Sequence, residues 1–497
     1  MKENYFTKRV FQVALLFFLI LAANTFAQVG VGTITPHASS VLDVSSTTQG
    51  MLTPRMTTAQ RLAIASPADG LMVYDTDLKS FYYYNQATPA WTVINSASTG
   101  RLKFKRIKST DVLATVLATE LAAGGGAKYV LDSGTYYEIN GIINFNFPID
   151  LNNAYLVGLD ANEDVLFKSS GFLFEGATGG TIKTLTISGG SSVFNLVGSG
   201  NTQSIIFRDA IVANSANVGT ISGFGLVFFS VINYAANVTG ITYTNNTRVL
   251  LSNTAWFGNN TGTFEKFTGT FSLIQKQGGF SEVNGTAVGV DVSANPIITG
   301  DAVMESVVFT GTNTVGYVSR YGTGSYTGYN FNNSWNVRCA GIPTETDVNA
   351  AGDFTFDYAV GAGATTSFSG VANQPTGIIK VAGVSTSTNL FRFATGGLSN
   401  RLIYEGKKKR LCQVTGSISF QVPAIGTYII YVAKNGVSLS QFKIYGRGGA
   451  ANDIVVVPIN ALVELNNSDY IEVWAQRYTT TNNGDSILTP NLSLVVK

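Results

Sequence analysis

Short apolar runs recur through the middle of this chain at a nearly constant interval, and that interval leaves few folds open. "TLTIS" is centred on Leu185, "SIIFRD" on Ile206, "LVFFSV" on Phe228, "RVLLSN" on Leu250 and "GTFSLI" on Phe271, at spacings of 21, 22, 22 and 21 residues. Gly, Asn, Ser or Thr flank every run. A helical repeat would need amphipathic stripes of about ten residues or more. Short strands at this period instead predict a solenoid, in which each coil buries its apolar side chains only by stacking on the next. The expectation is a parallel β-helix from about residue 128 to 336. Leu185, Ile206, Phe228, Leu250 and Phe271 would form one interior column, with a strand spacing of about 4.8 Å between backbones.

Composition fits that expectation. Charged residues are 12% of the chain, against about 25% in ordinary soluble proteins. Like charges stacked one strand apart repel, whereas Asn, Ser and Thr form hydrogen-bonded ladders. A net charge of +2 gives the whole chain no pull toward nucleic acid. Two cysteines, Cys339 and Cys412, cannot form a disulfide framework; one disulfide and two buried thiols both stay open.

The N-terminus reads as an export signal. Lys2, Lys8 and Arg9 precede the apolar stretch Val13 to Ala23, and Thr25-Phe26-Ala27 is a small-x-small cleavage site. The apolar stretch is short of the roughly 18 residues a span needs, so residues 1–27 are expected to be removed, leaving a secreted or surface protein without a membrane span.

Residues 28–100 read as a small β module. "VLDVSS" is a short strand, Thr57 or Thr58 caps a helical turn that Pro67 stops, and "GLMVYDTDLKSFYYYNQATPAWTVI" is two strands about an Asp-rich turn. The motifs at Val31 to Thr47 (V-G-x-G-T, L-D-V), Pro54 to Arg61 (P-R-M-T-x-x-Q-R), Pro67 to Asp77 (G-L-x-V-Y-x-T-D), Tyr83 to Asn85 and Trp91 closely resemble a segment of exported Bacteroidota proteins. The resemblance implies a lead-in for a fibre-like protein and no reaction.

Residues 101–345 are expected to be the β-helix with a capping helix. Ser109 or Thr110 would cap that helix, Val112, Leu113, Val116, Leu117 and Leu121 make its apolar stripe, and Gly124 to Gly126 end it. With Gly125 to Tyr136 opening the coils, this resembles the entrance of a pectate-lyase-like right-handed β-helix, a fold shared by lyases, hydrolases, tailspikes and adhesins. Residues 346–370 read as a linker after the exit segment Ser334 to Asp347. Residues 371–497 read as about nine short strands, the pattern of a β-sandwich. "GTYIIYVAKNG", "VELNNSDYIEVWA" and Asn400 to Arg410 resemble the jelly roll of the C1q/TNF-like group and phage-fibre knobs. The resemblance implies a homotrimer through this domain. "DIVVVPINALVEL" (Asp453 to Leu465) is apolar at nearly every position, which predicts burial on both faces, one by a neighbouring copy.

No spacing selects a catalytic set. Hydrolysis needs two carboxylates in one groove, and a lyase needs a base beside carboxylates. The candidates are Asp150, Asp160, Glu163, Asp164, Glu175, Glu265, Glu282, Asp291, Asp301 and Glu305. Asp209 and Arg208, being adjacent, should point to opposite faces of a strand. Asp75 and Asp77 could hold calcium, or make an Asx turn. His37 has no second histidine to build a site with. The basic runs "RLKFKRIK" (Arg101 to Lys108) and "GKKKR" (Gly406 to Arg410) are solvated surface or glycan contacts, and Phe81 to Tyr84 are core aromatics or sugar platforms. The reading favoured is an adhesin or receptor-binding protein that binds glycan without cleaving it. The alternatives are a β-helix polysaccharide lyase or hydrolase, and a phage or prophage fibre. No cofactor is implied.

Overall fold

The computed structural model describes residues 3–21, 28–94, 103–359, 361–369, 372–479 and 485–497. The expected cleavage site at residues 25–27 lies outside the described residues. The chain divides into two compact units, Met1–Arg101 and Leu102–Lys497.

The first unit holds the helix Glu3–Leu21 and the β module. No helix among the described residues is long and apolar enough to cross a membrane. Val29–Val31 and Leu42–Val44 form a parallel pair. A four-stranded sheet runs Arg55–Met56, Met72–Asp75, Ser80–Asn85, Ala90–Val93. The expected two strands after Gly70 are therefore three. Asn85 accepts the Ala87 N–H through its side chain (2.9 Å) and makes a second turn ahead of Ala90. Thr57 is the N-cap of helix Thr58–Leu62, in a reciprocal capping box with Gln60.

The second unit opens with the solenoid. Strands from Phe104–Lys108 to Trp335–Ala340 join one continuous ladder, parallel throughout. Its register defines an interior column: Tyr137, Leu156, Ile182, Phe207, Phe229, Leu251, Lys276, Met304 and Val337. All are buried. The predicted column is displaced from this by one residue. Ile206, Phe228 and Leu250 do pair in register, but they face outward and are half-buried. Leu185 and Phe271 are interior, yet Thr181 and Gln275 stand in register with the other three. A one-residue slip exchanges the faces of a strand. Runs such as "SIIFRD", apolar on both faces, carry nothing that fixes which residue points in.

Bends between faces use left-handed backbone. Thr184, Asp209, Val231, Asn253, Gly278 and Ser306 occupy equivalent bends, all at φ between 52° and 68°. Thus Arg208 and Asp209 are not on opposite faces; the bend brings their side chains into an ion pair at 3.0 Å. The expected polar ladders are present. Buried Asn237 accepts the Ser215 N–H (3.1 Å) and donates to Asn260 (2.9 Å), whose side chain donates to the Tyr234 carbonyl (2.6 Å).

The capping helix is two short pieces, Leu113–Val116 and Ala118–Ala123, hinged at buried Leu117. Its N-cap is Val112, without a side-chain bond, and not Ser109 or Thr110. Asp111 instead folds back to accept the Lys108 N–H (2.8 Å).

The sandwich begins earlier than residue 371. Gly352–Asp357 and Ala364–Ser367, from the segment expected to be a linker, pair antiparallel with Ser486–Val496. That strand pairs Arg410–Gln421, which pairs the edge strand Ile454–Leu465. The facing sheet is built on Gly426–Lys434 and Tyr470–Arg477. Cys339 and Cys412 are buried free thiols, one in each region.

Candidate functional site

Among the described residues most of the candidate carboxylates are engaged in ion pairs or turns, and Asp150 and Glu175 stand on neighbouring rungs, next to the Ile149–Phe174 pair. Glu265 points into the solenoid, 1% exposed, where it pairs Lys276 at 3.0 Å. Burial raises its pKa against the pull of Lys276. Asp164 is buried in a turn, accepting the Gly141, Leu159 and Asp160 N–H groups. Asp160 binds its neighbour Asn162, and Glu163 is exposed. Asp150 pairs Lys128 (2.9 Å) and Asp291 pairs Lys266 (3.1 Å). Glu175 accepts from Asn195, and Glu282 from the Gly258 N–H at 3.0 Å. Asp301 and Glu305 share one strand four positions apart, about 13 Å at strand rise, beyond the roughly 5–9.5 Å of glycosidase pairs.

The other candidates are structural. His37 is exposed and bonds Ser39 at 2.7 Å. Asp75 spends its oxygens on donors: Arg61 Nε (2.9 Å), Thr58 Oγ1 (2.8 Å) and the Asp77 and Leu78 N–H groups (3.0 Å each). Donors at each oxygen repel a cation, and Asp77 accepts the Thr58 N–H (2.9 Å), so the Asx-turn reading holds here and the calcium reading does not. Burial opposes ionisation of Asp75, but the bonds from Leu78, Arg61, Thr58 and Asp77 outweigh it and hold the pKa at about 2. Arg61 also lies over the Tyr82 ring at 4.0 Å. This pair explains the spacing between the P-R-M-T-x-x-Q-R and V-Y-x-T-D motifs. Of the aromatic run, Tyr84 packs edge-on to Trp91 and Phe81 to Tyr74.

Both basic runs are tied down. Lys105 pairs Glu120 of the capping helix and Arg106 pairs Glu138, each at 2.5 Å. Lys407 donates to the Gly300 carbonyl (2.5 Å), the Lys408 N–H caps Asp347 (2.8 Å), and Arg410 donates to the Ala350 carbonyl (2.6 Å). "GKKKR" thus fastens the sandwich to the last coils of the solenoid.

What the surface does present is apolar. The outward column of the solenoid ladder reads Phe104, Tyr136, Tyr155, Thr181, Ile206, Phe228, Leu250, Gln275, Val303, Asn336. Seven of these ten are aliphatic or aromatic, and none is buried. On the sandwich, Ile454–Leu465 alternates strictly, with Val455 facing the core and Ile454, Val456 and Leu462 more than half exposed. The predicted second covered face is open in the single chain. In the N-terminal module Val29, Val31, Val41 and Leu42 are all more than half exposed. Sequence reasoning missed the outward column; the signal was there, in runs that are apolar at consecutive positions.

Residues 30–110 match the family described as phage tail like trimerisation region. No curated protein matches the chain. Among solved structures it is similar to tailspike protein 4 of bacteriophage CBA120, at 10% identity over 89% of this chain and 77% of that one, with a TM-score of 0.23. It is similar to tailspike protein gp49 of Acinetobacter baumannii bacteriophage Fri1, a capsular polysaccharide depolymerase, at 10% identity over 89% and 97%, with a TM-score of 0.19. Eiger TNF from S. frugiperda is similar over 30% of this chain and 91% of that one, at 10% identity and a TM-score of 0.19. Scores this low carry no argument about function. The family match lies at the N-terminal end, whereas the sequence led us to expect trimer formation at the C-terminal domain.

Proposed function

We propose that this chain is one subunit of a homotrimeric fibre of phage-spike type, exported through residues 1–27 and acting outside the cell as a receptor-binding protein. The observation that carries the reading is the outward apolar column. It starts at Phe104, inside the segment that matches a trimerisation region, and continues along the ladder to Val303. Polar and charged residues flank it two positions on, among them Arg106, Glu138, Lys183, Arg208 and Glu305. An apolar stripe with a charged rim is what a subunit interface presents before assembly. The occupant is a second copy of this chain, and the exposed face of Ile454–Leu465 gives the sandwich an apolar face of its own. Three linked copies would multiply weak receptor contacts. The reading assigns no reaction.

Thiol labelling tests it. Tyr155→Cys, on the column, is expected to resist a water-soluble maleimide in the assembled protein, while Val315→Cys, 88% exposed in the single chain, labels freely. Equal labelling of both would remove the interface. Mass spectrometry of the exported product tests the signal: an N-terminus at Gln28 is expected, and one at Met1 would refute cleavage.

A further inference from the structure

A cleft of about 820 Å³ opens where the last solenoid loop meets the sandwich, within the second unit. Its solenoid side is the loop around Tyr326 and Tyr329, and its sandwich side runs from Ser387 to Gly396. Its volume lies within the roughly 300–1,000 Å³ of small-molecule sites.

The walls are fixed from behind. Tyr329 stacks on Phe391 with ring centroids 4.0 Å apart, and Tyr326 meets Phe391 edge-on at 5.4 Å. The Tyr326 hydroxyl donates to Glu405 (2.6 Å). Beside Phe391, buried Arg392 binds the Asp347 carboxylate and the Trp335 (2.5 Å) and Glu345 (3.0 Å) carbonyls, so it joins the solenoid exit to the sandwich. Glu345 in turn accepts the Asn330 and Phe331 N–H groups, at 2.8 and 2.9 Å, at the base of the tyrosine loop. Asp353 accepts the Thr388 and Asn389 N–H groups (3.0 and 2.8 Å) and sets the opposite rim. A site whose supports are bonded in this way is preorganised and loses little entropy on binding.

The lining chemistry narrows the ligand. No lining residue carries a charge, which disfavours phosphates, uronates and cationic ligands. Aromatic rings stand among hydroxyls and an amide, from Thr327, Ser387, Thr388, Asn389 and Thr395. Rings that cover C–H faces, beside neutral donors and acceptors for hydroxyls, suit a sugar.

We propose that this cleft binds a short, uncharged oligosaccharide. The proposal rests on the receptor-binding reading and gives it a site and a ligand class. The test uses the full-length mature protein in a calorimetric titration with laminarin, mannan and dextran as neutral glycans, and alginate and hyaluronate as anionic ones. Binding of at least one neutral glycan and neither anionic one is expected. Tyr329→Ala should weaken it tenfold or more, and Tyr329→Phe should hold it within about threefold, because the ring and not the hydroxyl does the stacking. Thr327→Trp, at an exposed rim position that leaves the core untouched, should block the cleft with no change in melting temperature. Binding of no neutral glycan, binding of the anionic polymers alone, or affinity indifferent to both Tyr329→Ala and Thr327→Trp would each overturn the site. Native mass is measured on the same samples. A trimer that binds no neutral glycan refutes the cleft alone, and a monomer that binds one refutes the trimer alone.

Discussion

The N-terminal module and the solenoid both expose apolar side chains, but only the solenoid has a core beneath them. From Ile107 to Cys339 its buried hydrophobic residues form one continuous cluster. Among the described residues of the module, Val73 is the one buried hydrophobic side chain, and the other buried residues are the ion-paired Arg61 and Asp75. Meanwhile Ile34, Val41, Met51, Leu52 and Leu62 are each more than 60% exposed. A chain with that little buried area has too small a hydrophobic gain to offset its conformational entropy. The difference teaches that the solenoid carries its own core, whereas the described residues of the module bury almost nothing apolar.

The largest expected effect breaks the solenoid side. Phe229→Asp should unfold the solenoid or cost more than about 4 kcal/mol, because it places an unpaired charge in the interior column. Phe228→Asp, one residue away and facing outward, should leave the thermal transition nearly in place and weaken assembly. Circular dichroism melts with native mass on both variants check this. If Phe228→Asp proved the more destabilising of the two, the register would be wrong.

A second variant set sharpens what holds that interior. Glu265→Ala leaves Lys276 buried and unpaired, at an expected cost of about 3–5 kcal/mol. Replacing the pair together, with Glu265→Leu and Lys276→Met, should be near neutral or stabilising. Denaturant titration measures both, and a double variant as damaged as the single one would contradict the account.

The module side breaks differently. Arg61→Ala should weaken assembly and leave the solenoid melt unchanged. Asp75 gives this a pH signature. Its folded pKa of about 2 lies below the unfolded value near 3.9. Its contribution is therefore fully present above about pH 4 and lost as pH falls toward 2. Asp75→Asn should flatten the fall in module stability across that window, read by the fluorescence of Trp91.

The smallest expected effect lies at a solenoid bend. Val231 is a β-branched residue at φ 56° and 46% exposed. Val231→Asn should raise stability by about 1 kcal/mol, because Asn tolerates left-handed backbone.

How legible all this was in the sequence also differs by region. The period of the solenoid was readable because every coil repeats the same burial problem. Its facing was not, because Ile206 and Phe207, or Phe228 and Phe229, are both apolar and register alone separates them. In Ile454–Leu465 the same property pointed correctly to two apolar faces, although the single chain covers only one. The segment at 352–367 reads as a linker in sequence because its pairing partner, Ser486–Val496, lies more than a hundred residues away. The junction cleft had no local signature at all: Tyr329 and Phe391 meet only because the two regions are fastened together.

The most direct test of the central claim is sedimentation equilibrium of the whole mature chain at micromolar concentration. The account predicts a single species of three times the chain mass, reduced toward one chain mass by Arg61→Ala. A wild-type protein that sediments as a single chain would contradict it.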